Sequence, residues 1–382
     1  MVATVTVAAG VFGLLFIEGF FSGLLATHAH NSIHSRHGHG QITTKGYWGQ
    51  PFERPMDHWL KEPQKIQEFL AHHPLVDKVF PRVQFFALLG NGQINVAGRG
   101  QGIVGPLEAG FFDQLHFVEG GPIGQTKDGI VLGLGLAKAL NVKVGESIVV
   151  LGQTVDGTLN GIDATVTGIF HVGFKEADDM LFQVQLDQAQ TLLASTSLES
   201  FVIGLKHEKD WSQFAAQVEA RFPNLEALSV YVIDRVWAEN GRLFLTALMN
   251  IFKFIFLGVI LLAIYNTAST TVLERKREIG MLRANGETSR SVIVLLVIEG
   301  AVIAGVGACL GVLGVSVADL LVSDGIPMPP TPGTSRELAI RLRFEPGFSA
   351  FSILLGFLTA TGATWLSALQ VLRLPVAKAL RL

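Results

Sequence analysis

VLERKREIGMLRANGETSR, residues 272–290, is a strongly charged segment set between two long apolar runs. The run before it, residues 243–273, and the run after it, residues 291–322, are each long enough to cross ~30 Å of hydrocarbon at ~1.5 Å per residue. Inside the segment, Ile279, Met281 and Leu282 stand among charges. Gly286 follows as a helix stop, able to take a positive φ and turn the chain into the next run. A short interfacial helix over Glu278–Ala284 is therefore expected, with apolar and charged residues both available to a partner. A plain basic loop that only fixes topology is the alternative.

Two further apolar runs, residues 1–26 and 348–372, bring the spans to four. The composition agrees: 49% of the 382 residues are hydrophobic and 16% charged, where a soluble domain carries about 25% charge. No Lys or Arg precedes the first run, which also exceeds the ~7–15-residue core of a signal peptide, so a retained span is expected. The loop 274–290 holds Arg275, Lys276, Arg277, Arg283 and Arg290, and the tail 373–382 holds Arg373, Lys378 and Arg381. Short basic segments stay cytoplasmic. Both termini are then expected in the cytoplasm, and residues 27–242 and the loop 323–347 outside. In that loop Pro327, Pro329, Pro330 and Pro332 forbid a regular helix.

The external segment has ordinary soluble composition and mixed patterning. Ser147–Leu151 and Ala164–Ile169 alternate as strands. Pro63–His72, Asp187–Ala194 and Trp211–Phe222 read as helices, and Gly129–Gly145 as strand, short helix and turn. An α+β domain is expected. GLGLAKAL lacks the Lys-Ser/Thr ending of a phosphate-binding loop, and neither a nucleophile elbow nor another catalytic constellation stands out. His28, His30, His34, His37 and His39 form a His-rich tract without Cys or acidic company; a structural role is weighed there against metal binding or pH sensing. Cys309 is the single cysteine, so neither an intrachain disulfide nor a Cys-based metal site can form. The net charge of −3 points away from nucleic acid.

Charges inside the spans are few. Lys253 lies 22 residues, or ~33 Å of helix, before Arg275, which suits a lysine snorkelling at the outer interface. Glu18 is expected near that same interface, and Glu299 deeper, as a hydrogen-bonded carboxyl or a group that transmits motion. Gly300, Ala304, Gly307, Gly311 and Gly314 share one face of the third span, a stripe for close helix packing. Phe12, Phe16 and Phe20 share a face of the first, suited to an acyl or polycyclic ligand and equally to bilayer lipid.

Glu274–Gly286, ERKREIGMLRANG, resembles the ERxREIGxLRAxG signature of the FtsX-like/MacB superfamily of permeases, the type VII ABC transporters. The order of one span, external domain and three spans is similar, and GHGQITTKGYW, residues 38–48, looks like the segment after the first span in lipoprotein-releasing LolC/LolE-type permeases. The resemblance implies an α-helical membrane protein with four transmembrane helices, and an external α+β, MacB-like periplasmic domain inserted between the first and second. It implies a non-enzymatic permease of the bacterial inner membrane, paired with a second copy or a sibling and with a separate cytoplasmic ATPase that binds ATP and Mg. Glu278, Ile279, Gly280, Met281, Leu282, Arg283 and Ala284, closed by Gly286, would be the coupling helix on that ATPase. The work implied is mechanotransmission: extraction of a lipoprotein or lipid-like substrate from the outer leaflet for a periplasmic carrier. The rivals are MacB-like efflux of a drug or peptide through a periplasmic adaptor, and FtsX-like control of a cell-wall hydrolase, against which the large external domain counts. Members of the superfamily usually begin with a basic helix before the first span; here the span starts at once, either because the chain begins at an internal start or because that helix is absent, so no contact of that helix is carried over.

Overall fold

The computed structural model describes residues 2–48, 55–108, 110–113, 115–124, 126–173, 175–234, 241–328, 338–344 and 346–372. The expected basic tail 373–382 and residues 329–337 of the Pro-rich loop lie outside them. The chain divides into two compact units, His28–Asn240 with Pro329–Glu337, and Met1–Thr27 with Gly241–Met328 and Leu338–Leu382.

The first helix, α1 (Val2–Ser32), continues past residue 26, where the apolar run ends, and closes in a π-helical turn at Ile33–His37. The polar residues after Ala26 do not break a helix that is already nucleated; Gly38, at φ 61°, does. The first unit then runs β1 (Gly40–Thr44), α2 (Pro63–Ala71), β2 (Val76–Gly90), β3 (Asn95–Ile103), α3 (Gly105–Glu108), β4 (His116–Gly120), β5 (Gly129–Gly133), α4 (Leu134–Leu140), β6 (Ser147–Gln153), β7 (Leu159–His171), α5 (Lys175–Met180), β8 (Leu181–Gln185), α6 (Leu186–Leu193), β9 (Ser200–Leu205), α7 (Trp211–Arg221), β10 (Leu225–Ser229) and α8 (Val230–Ile233). The expected strands fall within β6 and β7, and the expected helices coincide with α2, α6 and α7.

The strand β2 organises this unit. Its first half pairs with β9 in an antiparallel sheet ordered β10-β1-β9-β2. With α2 and α7 on one face this is a split βαβ arrangement, and its core holds Ile42, Leu70, Phe201, Phe214 and Val218. The second half of β2 pairs with β3, and β6 pairs with both β7 and β2. The ladders β2-β3-β8-β5-β7-β6 therefore close on themselves. Leu89, Ile130, Leu132, Val150, Val166 and Phe182 fill the interior of that circuit, with Leu136 of α4 and Leu192 of α6. Closing a sheet removes its open edges, which is why these six strands hold together as an insertion.

In the second unit, α9 (Leu243–Glu274), α10 (Lys276–Ala284), α11 (Ser289–Leu321), a small hairpin of β11 (Ile326–Met328) and β12 (Leu338–Ile340), and α12 (Pro346–Leu372) join the start of α1. Four helices are long and apolar enough to cross a membrane, at Val2–His37, Leu243–Thr267, Ser289–Leu321 and Ser349–Leu369. Their core is built from Val7, Val11, Leu14, Ile260, Ile264, Ala304, Ala308, Ala360 and Ala363. Small residues let the backbones meet. A Cβ on Gly307 would lie 2.9 Å from the Thr4 carbonyl oxygen, and one on Gly311 2.8 Å from that of Ala8, both on α1. A Cβ on Gly300 would meet Thr364 of α12 at 2.6 Å, and one on Gly314 would meet Phe12 at 3.2 Å. Gly10 and Gly13 of α1 do the same work against Ile260 and Phe256 of α9. Gly307→Val is expected to cost ~1–3 kcal/mol by overpacking, read as a lower melting temperature in detergent. Gly305→Ala, with nothing within 4 Å of its Cβ, should leave the melt unchanged.

Candidate functional site at the inner helix joint

The helix α9 ends at Glu274, and Arg275 takes a non-helical conformation (φ −87°, ψ 11°) before α10 begins. After Ala284, Gly286 at φ 98° reverses the chain. The Thr288 hydroxyl then caps α11, accepting from the Ser291 N–H at 3.2 Å. The expected helix over Glu278–Ala284 thus forms, one turn-half longer at its start.

Its residues do not share one environment. Ile279 is 6% exposed and packs on Val292 and Leu296 of α11, and Gly280 is buried with it. Met281 and Leu282 are 49% and 37% exposed. Glu278 and Ala284 are exposed, and Arg283 is half-buried. This corrects the expectation that Ile279 belongs to the presented face: a helix of ~3.6 residues per turn cannot turn Ile279 inward and still offer it to a partner. Arg275 anchors the joint, its Nη1 donating to both carboxylate oxygens of Glu299 at 2.8 and 2.9 Å. Glu299 therefore has an ionic partner that the sequence left unassigned.

At the other end of the bundle, Lys253 is not a snorkelling side chain. Its Nζ lies 3.4 Å from Oε2 of Glu18, which is 1% exposed and also accepts from the Ser352 hydroxyl. One acid on α1, one base on α9 and a hydroxyl on α12 thus meet at Oε2 of Glu18 inside the apolar bundle, while its Oε1 is buried without a hydrogen-bond partner among the described residues. Phe12 and Phe16 stack at 5.8 Å and are half-buried against the bundle core. Phe20 is half-buried and edge-on to Phe21, which meets Phe252.

The other unit buries charge of its own. Arg82 donates through Nη2 to both oxygens of Glu108, at 2.8 and 2.6 Å, and lies over the Phe112 ring. Burial raises the Glu108 carboxyl against the pull of Arg82. Within the His-rich tract, His37 is buried, and the His30 and His34 rings meet at 4.4 Å. His34 donates to the Phe111 carbonyl oxygen through Nδ1, and His39 accepts the Leu205 N–H. Among the described residues no group of three His, Cys, Asp or Glu is placed to hold a metal ion.

Burial also pushes Glu199 up to about 7, against the Tyr47 hydroxyl that donates to it at 3.0 Å. A carboxyl raised on folding favours the folded state fully below the ordinary value of 4.5 and loses that contribution as pH climbs through about 7. Glu199→Gln should therefore stabilise the chain at pH 8 relative to pH 4.5 by roughly 2–3 kcal/mol more than wild type. Denaturant unfolding of the full chain at the two pH values checks this.

A family model described as MacB-like periplasmic core domain matches residues 1–221, and one described as FtsX-like permease C-terminal matches residues 250–376. The chain is 26% identical over 274 residues to the lipoprotein-releasing system transmembrane protein LolC of Xylella fastidiosa (strain Temecula1 / ATCC 700964), covering 68% of this chain and 64% of that one. It is 29% identical over 196 residues to LolC of Neisseria meningitidis serogroup B (strain ATCC BAA-335 / MC58), covering 48% and 46%. The chain thus spans less than two thirds of the length of these relatives. Among solved structures, the periplasmic region of MacB from Actinobacillus actinomycetemcomitans aligns at 13% identity with a TM-score of 0.38, over 52% of this chain and 92% of that one. The extracellular domain of the ABC-type transporter YknZ aligns at 10% identity with a TM-score of 0.36, over 50% and 98%.

Proposed function

The chain belongs to the FtsX-like permeases that carry a MacB-like periplasmic core domain, a class of ABC-transporter permease, and from that premise we propose that it lets a separate cytoplasmic ATPase do work on a lipoprotein or lipid-like substrate at the outer leaflet of the bacterial inner membrane. The observation that carries the reading is α10. It is held to the bundle by Ile279 and Arg275, and it leaves Glu278, Met281 and Leu282 open. A short helix anchored on one side and bare on the other can receive a push and pass it on.

Force applied at α10 enters α9 through the Arg275 joint and α11 through the contact of Ile279 with Val292 and Leu296. It reaches α1 through the Glu18–Lys253 pair and through the Gly307 and Gly311 contacts. Close-packed interfaces of this kind shift as units rather than deforming continuously. ATP and Mg would bind the ATPase chain, and a second permease, copy or sibling, would complete the assembly. Half-buried Phe12, Phe16 and Phe20 would offer aromatic surface to acyl chains. The names of the relatives, lipoprotein-releasing, favour a lipidated protein as cargo; a periplasmic carrier would receive it.

The test is ATP turnover by the permease–ATPase complex in nanodiscs, with a triacylated lipoprotein, a free phospholipid or an amphiphilic drug added. Stimulation by the lipoprotein beyond that by phospholipid is expected. Stimulation by the drug alone would favour MacB-like efflux, and no response to any amphiphile would remove the reading.

A further inference from the structure

Glu299 stands ten residues past Ser289, ~15 Å along α11, with Val292–Ile298 below it and Ala301–Ala304 above. A carboxylate at that depth in an apolar helix is costly unless a partner meets it. The partner is Arg275, the one non-helical residue between α9 and α10. The two side chains are about half exposed in the isolated chain. Arg275 lies in the charged segment 274–290, beyond the apolar window that ends at Thr267, so the weight of the pair lies in its geometry rather than in a large energy. Behind the joint lies a small cavity of about 60 Å³, lined by both side chains with Ile264, Leu296, Gly300 and Thr364. The joint therefore has room to move.

Two contacts seen among the described residues hold α10 to the bundle. Ile279 on Val292 and Leu296 is apolar, and such contact is non-directional. The Arg275 bond to both oxygens of Glu299 is directional, and it acts on the residue whose φ and ψ set the angle between the helices. We propose that the Arg275–Glu299 pair fixes the pose of α10 at the inner end of the bundle, with Glu299 as the positioning residue. The pair selects the joint geometry in which Met281 and Leu282 face outward. Its value to the transporter rests on α10 being the ATPase contact; the geometry itself does not.

The experiment uses the full-length permease in nanodiscs with Cys309→Ala, spin-labelled through Met281→Cys and Val302→Cys. A second label pair, Ile255→Cys with Leu313→Cys, monitors the bundle away from the joint. With Arg275 and Glu299 intact, the first pair should give one narrow distance peak. Glu299→Gln and Arg275→Gln should each lose that peak to a broad distribution, with the second pair unchanged. The exchange Arg275→Glu with Glu299→Arg should bring the narrow peak back. An unchanged distribution in Glu299→Gln and Arg275→Gln overturns the proposal, as does an exchange that fails to restore it. The labels report on the permease alone. Retention of the ATPase by a Met281 and Leu282 variant would therefore remove the docking role of α10 without touching this assignment.

Discussion

Replacing Met281 and Leu282 together by Asp will detach the ATPase while leaving the four-helix bundle folded. Both side chains are exposed, at 49% and 37%, and neither is in the apolar contact that holds α10 to α11. Two central apolar anchors contribute about 1–2 kcal/mol each to an interface, so their loss should weaken association on the order of 100-fold. Quantitative pull-down of the ATPase from detergent-solubilised membranes reads this, with the melting temperature of the permease as the control for folding. Ile279→Asp separates the two faces of α10: it places a charge against Val292 and Leu296 and should lower the melting temperature. A double variant that keeps its ATPase would show that the docking surface lies elsewhere.

The second large effect is expected at the end of the bundle away from α10. Glu18→Ala deprives Lys253 of the carboxylate at 3.4 Å and Ser352 of its acceptor. Breaking a buried pair from one side costs about 3–5 kcal/mol, because the surviving charge keeps its desolvation penalty. Removing both partners is far milder, since well-packed apolar replacements carry no such penalty. Glu18→Ala should therefore melt well below wild type, and Glu18→Ala with Lys253→Met should recover most of the loss. Equal losses in the single and double variants would mean that the ion pair is not what holds α1, α9 and α12 together there.

Much of the architecture was legible because its signals are local. Runs of apolar residues give the four helices, and Gly286 with the charged segment before it gives α10 and its end. The spacing of Gly300, Ala304, Gly307, Gly311 and Gly314 gives a packing face directly from helical period. What escaped is non-local. The pairing of β2 with β9, and the return of β6 to β2, join residues far apart in sequence, and alternation within a strand says nothing about its partner. The Glu18–Lys253 pair links α1 to α9; one acid and one base, each isolated in an apolar run, were the signal available. The orientation of Ile279 was illegible for a different reason. A nine-residue helix with apolar side chains at 279, 281 and 282 has no single apolar face, so only tertiary contact decides which of them turns inward. The persistence of α1 to Ser32 escaped because hydropathy marks where a membrane ends, not where a helix does.

The central claim is that work enters this permease from a separate ATPase through α10. Placing a photo-crosslinking amino acid at Leu282 in the full-length chain, in native membranes, tests it most directly. Irradiation should join the chain to an ABC ATPase subunit, and the same group at Leu313, exposed on α11, should not. Absence of an ATPase adduct from Leu282 would contradict the account.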